Sequence, residues 1–540
     1  MTVADEIHDV VVVGAGFAGL YALKRLRDSG LDVVGIERGS GVGGTWFWNR
    51  YPGARCDIES AYYSYSFSDA LQEEWDWTEK YATQPEILAY LEHVAERFDL
   101  NRYIRFSEEV VSAEYDEASA TWHVTTDRGR HLACRYLVFA TGCLSVPKTP
   151  DISGLEDFAG TVIQTHSWPS NPPELTGLRV GLIGTGSSGI QAGPILAATA
   201  GELTVFQRTA NFSVPAQNAP LDPGWWARTK EQYPELRERS RWSASGSVPL
   251  DVVPVPALSV SEEERRARYE ERWRIGGMKF LQVFSDIYTD REANETAAAF
   301  VRAKIAELVH DPHVAKKLMP TDHPIGTKRI CTDTDYYSMF NRPNVSLVDV
   351  RKEPIVRVAA EGVVTDARTY PLDVLVLATG FDAMTGALLK PEIRGRDGRL
   401  LRDHWSHGPR SYLGIAISGF PNLFTITGPG SPAVISNMVT SIEQHVEWIA
   451  DHIDYLDAHG ITSSEPDPQA EEKWVEHVRA VADATLYGEA ASWYLGANVP
   501  GKPRVFMPYV GGVGAYRAQC DAVREDGYRG FLLGAPVSLA

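Results

Sequence analysis

The chain has 540 residues, beyond the roughly 250–300 that one hydrophobic core serves, so two or three cores are expected. Hydrophobic residues make up 44%, charged residues 23% and Trp occurs 14 times, which excludes disorder, collagen-like repeats and low complexity. Lys and Arg number 52 against 71 Asp and Glu, and the net charge of −19, with no segregated basic patch, argues against nucleic-acid and anionic-lipid partners.

The amino terminus is acidic and lacks a basic n-region, and no stretch approaches the roughly 18 apolar residues of a spanning helix. Five scattered cysteines (Cys56, Cys134, Cys143, Cys331, Cys520) without a Cys-x-x-Cys pattern read as reduced core thiols. The expectation is a cytoplasmic protein with no membrane partner, no redox dithiol and no metal site.

The first element is the apolar run Asp9-Val-Val-Val-Val13, a buried parallel strand that feeds into Gly14-x-Gly16-x-x-Gly19 and a helical pattern. A second strand, Leu31-Asp-Val-Val-Gly-Ile36, ends in Glu37, about 20 residues beyond the glycines, where an acid accepts hydrogen bonds from a ribose 2′-hydroxyl. Glu37 therefore selects a dinucleotide with a free ribose, FAD or NAD. The grammar recurs at Arg179-Val-Gly-Leu-Ile183, followed by Gly184-x-Gly186-x-x-Gly189 and a helix through Ala198. There the second strand, Leu203-Thr-Val-Phe-Gln207, ends in Arg208-Thr209, and a cation at that place pairs with a 2′-phosphate. One chain thus asks for two dinucleotides, FAD at the first site and NADPH at the second.

Two further strands break at Ala-Thr-Gly, Phe139-Ala-Thr-Gly142 and Leu377-Ala-Thr-Gly-Phe381, and suit crossovers between the two nucleotide units. Between residues 212 and 326 Glu and Arg crowd together, and Ser261 with Glu264 forms a capping box, so this part reads as a helical insertion with a long loop over 243–259. Strand patterns return at Val345-Ser-Leu-Val-Asp-Val350 and Asp373-Val-Leu-Val-Leu-Ala378, so the insertion interrupts a domain. The fold class read from this is α/β, with two Rossmann-like domains and a helical insertion. The expected division is 1–143 with 381–540 for FAD, 144–211 with 327–380 for NADP, and 212–326 for the insertion.

The segment Gly43-Gly44-Thr-Trp46-Phe-Trp-Asn-Arg-Tyr51-Pro52-Gly53-Ala-Arg-Cys-Asp57 resembles the pattern (Ala/Gly)-Gly-x-Trp-x-x-x-x-(Phe/Tyr)-Pro-(Gly/Met)-x-x-x-Asp of type I Baeyer–Villiger monooxygenases. Phe158-Ala-Gly160-Thr-Val-Ile-Gln164-Thr-His166-Ser-Trp168-Pro169 resembles the family fingerprint Phe-x-Gly-x-x-x-His-x-x-x-Trp-(Pro/Asp), with Gln164 in place of the histidine, and Gly326-Thr-Lys328-Arg329 is similar to the segment bearing its active-site arginine. The likeness spans essentially the whole chain, and phenylacetone and steroid monooxygenases look most similar.

The resemblance implies NADPH- and O2-dependent insertion of an oxygen atom beside a ketone carbonyl, giving an ester or lactone through a flavin C4a-peroxide. It places Gly44, Thr45 and Trp46 at FAD, makes Arg329 the catalytic cation with Asp57 orienting it, turns Lys328 with Arg208 and Thr209 toward the NADP 2′-phosphate, and puts Trp493 near the nicotinamide side. The segment 431–436 is expected to line the substrate pocket, which would take a hydrophobic ketone. If residues 161–166 are extended, His166 faces the same side as Gln164 and stands in for the missing ring. The alternatives are a flavin monooxygenase that oxidises sulfides or amines and a non-catalytic flavin-binding sensor; a disulfide reductase is disfavoured because Cys-x-x-Cys is absent.

Overall fold

A computed structural model describes residues 6–248 and 255–534. Its first sheet begins with β1 (Glu6–Val13), whose Val10, Val11 and Val12 are wholly buried because both faces are covered. β2 (Val33–Glu37) and β6 (His131–Phe139) pair with it in parallel, β3 (Ile104–Phe106) continues beyond β2, and β4 (Val110–Asp116) and β5 (Thr121–Thr126) add an antiparallel flank. Two short late strands, Glu392–Arg394 against β4 and Leu423–Thr425 against β6, bring the sheet to eight. The helix Phe17–Asp28 covers one face and packs against the helix Met438–Ala458 in the main core.

The second sheet is wholly parallel: β7 (Thr161–Gln164), β8 (Arg179–Ile183) and β9 (Glu202–Gln207), then, after a small parallel pair β10 (Ser213–Pro215) and β11 (Cys331–Asp333), β12 (Val345–Asp349) and the strand Val374–Leu377. Their spatial order is β12, β9, β8, Val374–Leu377, β7. Since β12 pairs with β9 across everything between them, the intervening helices interrupt this domain, as the strand patterns required.

Among the described residues five α-helices occupy that interruption: Pro223–Glu231, Tyr233–Trp242, Glu262–Ile275, Arg291–Leu308 and Pro312–Leu318. The Ser261 hydroxyl accepts from the Glu264 amide at 3.1 Å and caps the third of them. The insertion serves both cores. Trp226 and Tyr233 are buried with the first sheet's residues, whereas Tyr269, Ala297, Val301 and Ile305 are buried with those of the second. The loop expected over 243–259 lies in part outside the described residues; its end is a short 3-10 turn, Ala257–Ser259.

One local expectation is corrected. The extended run stops at Gln164, the last residue of β7, and Thr165–Ser167 form a 3-10 turn, so His166 does not share a face with Gln164. A strand's two-residue alternation ends where its ladder ends, and β7 pairs with Val374–Leu377 only as far as Gln164 opposite Leu377.

Candidate active site

Both glycine turns are built the same way. Gly14 leaves β1 at φ +105° and Gly184 leaves β8 at φ +114°; a Cβ on either would sit 2.7 Å and 2.3 Å from the carbonyl oxygens of Ala140 and Ala378 respectively. Those alanines open the two Ala-Thr-Gly segments, and their amides donate back to Val13 and Ile183. The repeated Ala-Thr-Gly is therefore the strand end that roofs each glycine turn. Gly19 and Gly189 let each helix close on its turn, because a Cβ there would fall 1.8 Å and 2.1 Å from the Gly14 and Gly184 oxygens.

Beyond the first turn opens a cavity of about 450 Å³ lined by Gly14, Gly16, Glu37, Gly44, Thr45 and Trp46, with Thr427 and Val434 farther along. Gly16 and Gly44 abut, a Cβ on Gly44 falling 2.9 Å from the Gly16 Cα, so side chains there would fill the cradle. Glu37 is 6% exposed and accepts the Ala15 amide at 2.8 Å and the Gly39 amide at 2.6 Å, one on each oxygen, leaving lone pairs for a ribose. Burial pushes its carboxyl up, while the two amides and Arg38 pull the other way. Trp46 is anchored by its indole N–H to the Tyr63 hydroxyl at 3.2 Å. The residues present fit FAD. A smaller hollow of about 260 Å³ beside Tyr62, Lys80 and Trp225 contains none of these groups.

At the second turn, a Cβ on Gly186 would meet nothing within 4 Å, so the turn faces open space where a pyrophosphate fits. Arg208 is exposed at the end of β9. The Thr209 carbonyl accepts from the Thr185 hydroxyl at 2.8 Å. Lys328 is half-buried within electrostatic reach of Arg208, Arg351 and Asp322; burial and the neighbouring cations lower its ammonium, and Asp322 opposes them. The structure thus gathers Arg208, Thr209 and Lys328, and adds Arg351, which no sequence motif marked. These residues fit a 2′-phosphate.

Arg329 and Asp57 meet although 272 positions separate them: Nε donates to Oδ2 at 2.9 Å and Nη2 to Oδ1 at 2.8 Å. Nη1 donates to the Val434 carbonyl at 2.5 Å, and the Met278 sulfur lies 3.5 Å from Nη2. Arg329 and Asp57 side chains are only 18% and 24% exposed. Burial works against the guanidinium charge, yet the Asp57 carboxylate and Tyr494 together outweigh it and hold Arg329 above its ordinary value. Val434 also lines the cavity, so the guanidinium lies directly behind a cavity-lining residue.

Trp493, expected at the nicotinamide side, packs beside Tyr494 with ring centroids 4.3 Å apart, and it is Tyr494, fully enclosed, that lies against Arg329. Tyr288 stacks on Tyr487 at 5.6 Å and Phe506 closes on Tyr487 at 5.2 Å, forming an aromatic wall. His166 lines the cavity and meets Phe381 edge-on at 6.2 Å; burial, with Arg38 nearby, lowers its imidazole. The segment 431–436 contributes Val434 through the turn Ala433–Ile435. His445 was also missed: its Nδ1 accepts the Thr427 amide at 3.0 Å, fixing a cavity-lining residue held at φ +56°. A histidine inside an apolar helix carries no motif, so no sequence signal marks it.

A family model described as pyridine nucleotide-disulphide oxidoreductase matches residues 11–238, the stretch with both glycine turns. The disulfide in that description has no counterpart here, since all five cysteines are buried and free. A Baeyer–Villiger monooxygenase of Pseudooceanicola batsensis is 42% identical over 97% of this chain and 96% of its own length. An oxidised steroid monooxygenase bound to NADP superposes with TM-score 0.94 at 55% identity, covering 98% of this chain and 99% of that one. The OTEMO complex with FAD and NADP does so with TM-score 0.95 at 40% identity, covering 98% and 100%. With identity of this order sustained along nearly the whole chain and a cradle that fits each dinucleotide, the chain belongs to the Baeyer–Villiger monooxygenases, enzymes of FAD and NADP.

Proposed function

We propose that this enzyme uses NADPH and O2 to insert one oxygen atom beside the carbonyl of a hydrophobic ketone, giving an ester or lactone. The observation that carries the reading is the buried Arg329–Asp57 pair, which holds a guanidinium against the carbonyl of the cavity-lining Val434. Bound FAD supplies electron transfer from NADPH and activation of oxygen.

Each protein group then has a task. Arg329 cannot yield its proton at any working pH, so it stabilises negative charge, on activated oxygen and then on the former ketone oxygen, without quenching it. Asp57 fixes the plane of the guanidinium through two parallel hydrogen bonds. The Val434 carbonyl takes the third direction. Tyr288, Tyr487, Tyr494 and Phe506 exclude water and favour an apolar ketone. Glu37 holds the FAD ribose, while Arg208, Thr209 and Lys328 select NADPH over NADH. A cytoplasmic setting suits the five free thiols.

The test supplies holoenzyme and Arg329→Ala with NADPH, heavy-isotope O2 and a panel of ketones and sulfides, and reads products by mass spectrometry. One labelled oxygen in an ester is expected from the native enzyme. Arg329→Ala should still oxidise NADPH while ester formation falls by about 10²–10³, the usual cost of losing an oxyanion-stabilising donor. Labelled sulfoxide without ester would overturn the ketone reading, and an arginine variant that cannot be reduced would reassign Arg329 to nicotinamide binding.

A further inference from the structure

In a doubly wound parallel sheet neighbouring strands deliver their carboxyl ends to one edge, so the residues just beyond one strand lie beside those just beyond its neighbour. β9 and β12 pair in register as far as Gln207 opposite Asp349. The residues two places beyond each pair are Thr209 and Arg351, and they touch: Arg351 Nη2 donates to the Thr209 hydroxyl at 2.8 Å. The same nitrogen donates to Asp322 Oδ2 at 2.7 Å, and the other oxygen of Asp322 meets His323 Nδ1 at 2.7 Å. The Arg351 amide donates to Asp349 Oδ1 at 3.2 Å, tying down the turn that carries it.

Arg351 is 53% exposed, so its guanidinium keeps faces open to a ligand while one edge is held. Lys328 feels both Arg351 and Arg208, which puts three cations around one place. His323 and Arg351 keep Asp322 at about 2 although its partial burial works the other way, so it stays anionic at working pH. Burial lowers the His323 imidazole while Asp322 pulls it up, and its ring lies edge-on to Phe212 at 5.4 Å. The cations Arg208, Lys328 and Arg351 outnumber the carboxylates of Asp322 and Asp349 that touch Arg351, a positive balance that suits the −1.5 to −2 or so of a phosphate monoester near neutrality.

We infer that Arg351 is a further specificity-determining residue of the NADPH 2′-phosphate site, held in place by Asp322 and Thr209 and completing with Arg208 and Lys328 a three-cation clamp. This rests on the reading of Arg208, Thr209 and Lys328 as that site.

The oxidised holoenzyme and its Arg351→Ala, Arg351→Glu and Arg208→Ala variants are titrated by calorimetry with NADP+, NAD+, 2′-AMP and 5′-AMP. Loss of one charge-assisted contact in Arg351→Ala should weaken NADP+ and 2′-AMP about tenfold, leaving NAD+ and 5′-AMP unchanged. Arg351→Glu should lower NADP+ affinity further. If Arg208→Ala shifts the NADP+ to NAD+ ratio and neither Arg351 variant does, the Arg351 assignment alone is overturned. If no variant shifts that ratio, the phosphate is bound elsewhere and the reading of the site falls with it.

Discussion

Arg329 stays charged in a nearly closed site because Asp57 meets two of its nitrogens and Val434 a third. Removing one member of such a pair leaves an unmatched buried charge, worth about 3–5 kcal/mol. Asp57 acts through the arginine, so it is a positioning residue, and Asp57→Asn should misdirect the guanidinium more than delete it. The expected outcome is a several-fold rise in the share of NADPH electrons ending as hydrogen peroxide, with the rate of flavin reduction little changed; an unaltered peroxide-to-ester ratio would count against the role. The identities of Arg329 and Asp57 were legible in two local motifs. Their pairing followed from the family resemblance; its two-bond geometry did not, and neither did Tyr494, because a tyrosine next to a tryptophan in a loop carries no mark of what faces it.

At the scale of elements, the two strand–turn–helix units are near-copies, and each Ala-Thr-Gly carbonyl sits where a Cβ on the first glycine would go. Alanine at either glycine meets that carbonyl and an unfavourable φ, strain of about 1–3 kcal/mol confined to one unit. Gly14→Ala should therefore deplete bound flavin, seen in visible absorbance after purification. Gly184→Ala should purify yellow and bind NADP+ at least several-fold more weakly. Loss of both cofactors from either variant would show that the two units are not independent. Spacing revealed these turns because the demand is local: a sharp exit from a strand and a helix packed close behind it. The same local logic failed at His166, where the ladder beside Val374–Leu377 ends at Gln164 and the chain curls. It also passed over the strand Leu423–Thr425, too short for a periodicity, which forms only because β6 offers it an edge.

The whole molecule rests on two cores joined by an insertion that contributes to both. The helix Met438–Ala458 carries two histidines into the first core. His445 accepts from the Thr427 amide and bonds the Tyr516 hydroxyl at 2.8 Å; His452 meets the Ser464 hydroxyl at 2.8 Å and stacks on Trp448. Burial pulls each imidazole down to about 3. A folded value below the unfolded value of about 6.5 means that the unfolded chain takes up these protons first, so the stabilisation is whole above pH ~6.5 and is lost as pH falls toward 3, on the order of 5 kcal/mol per histidine at most. Melting temperature should hold level above neutrality and drop steadily below about pH 6.5, and His452→Gln should shallow that drop; a melting temperature indifferent to pH between about 7.5 and 5 would refute the linkage. Among the described residues no helix is long and apolar enough to cross a membrane.

The sequence by itself called for two dinucleotide units and for the cofactors FAD and NADP, since glycine spacing, a strand-end charge and apolar runs are properties of neighbouring residues. Only the tertiary structure decided the two parallel bonds by which Asp57 holds Arg329, that Arg351 joins Thr209 at the sheet edge, and that His445 fixes Thr427 at the cavity. Those contacts join residues that lie close only once β9 pairs with β12 and the long helix docks on the first sheet. Strand pairing and core packing set them, and no local motif joins the partners.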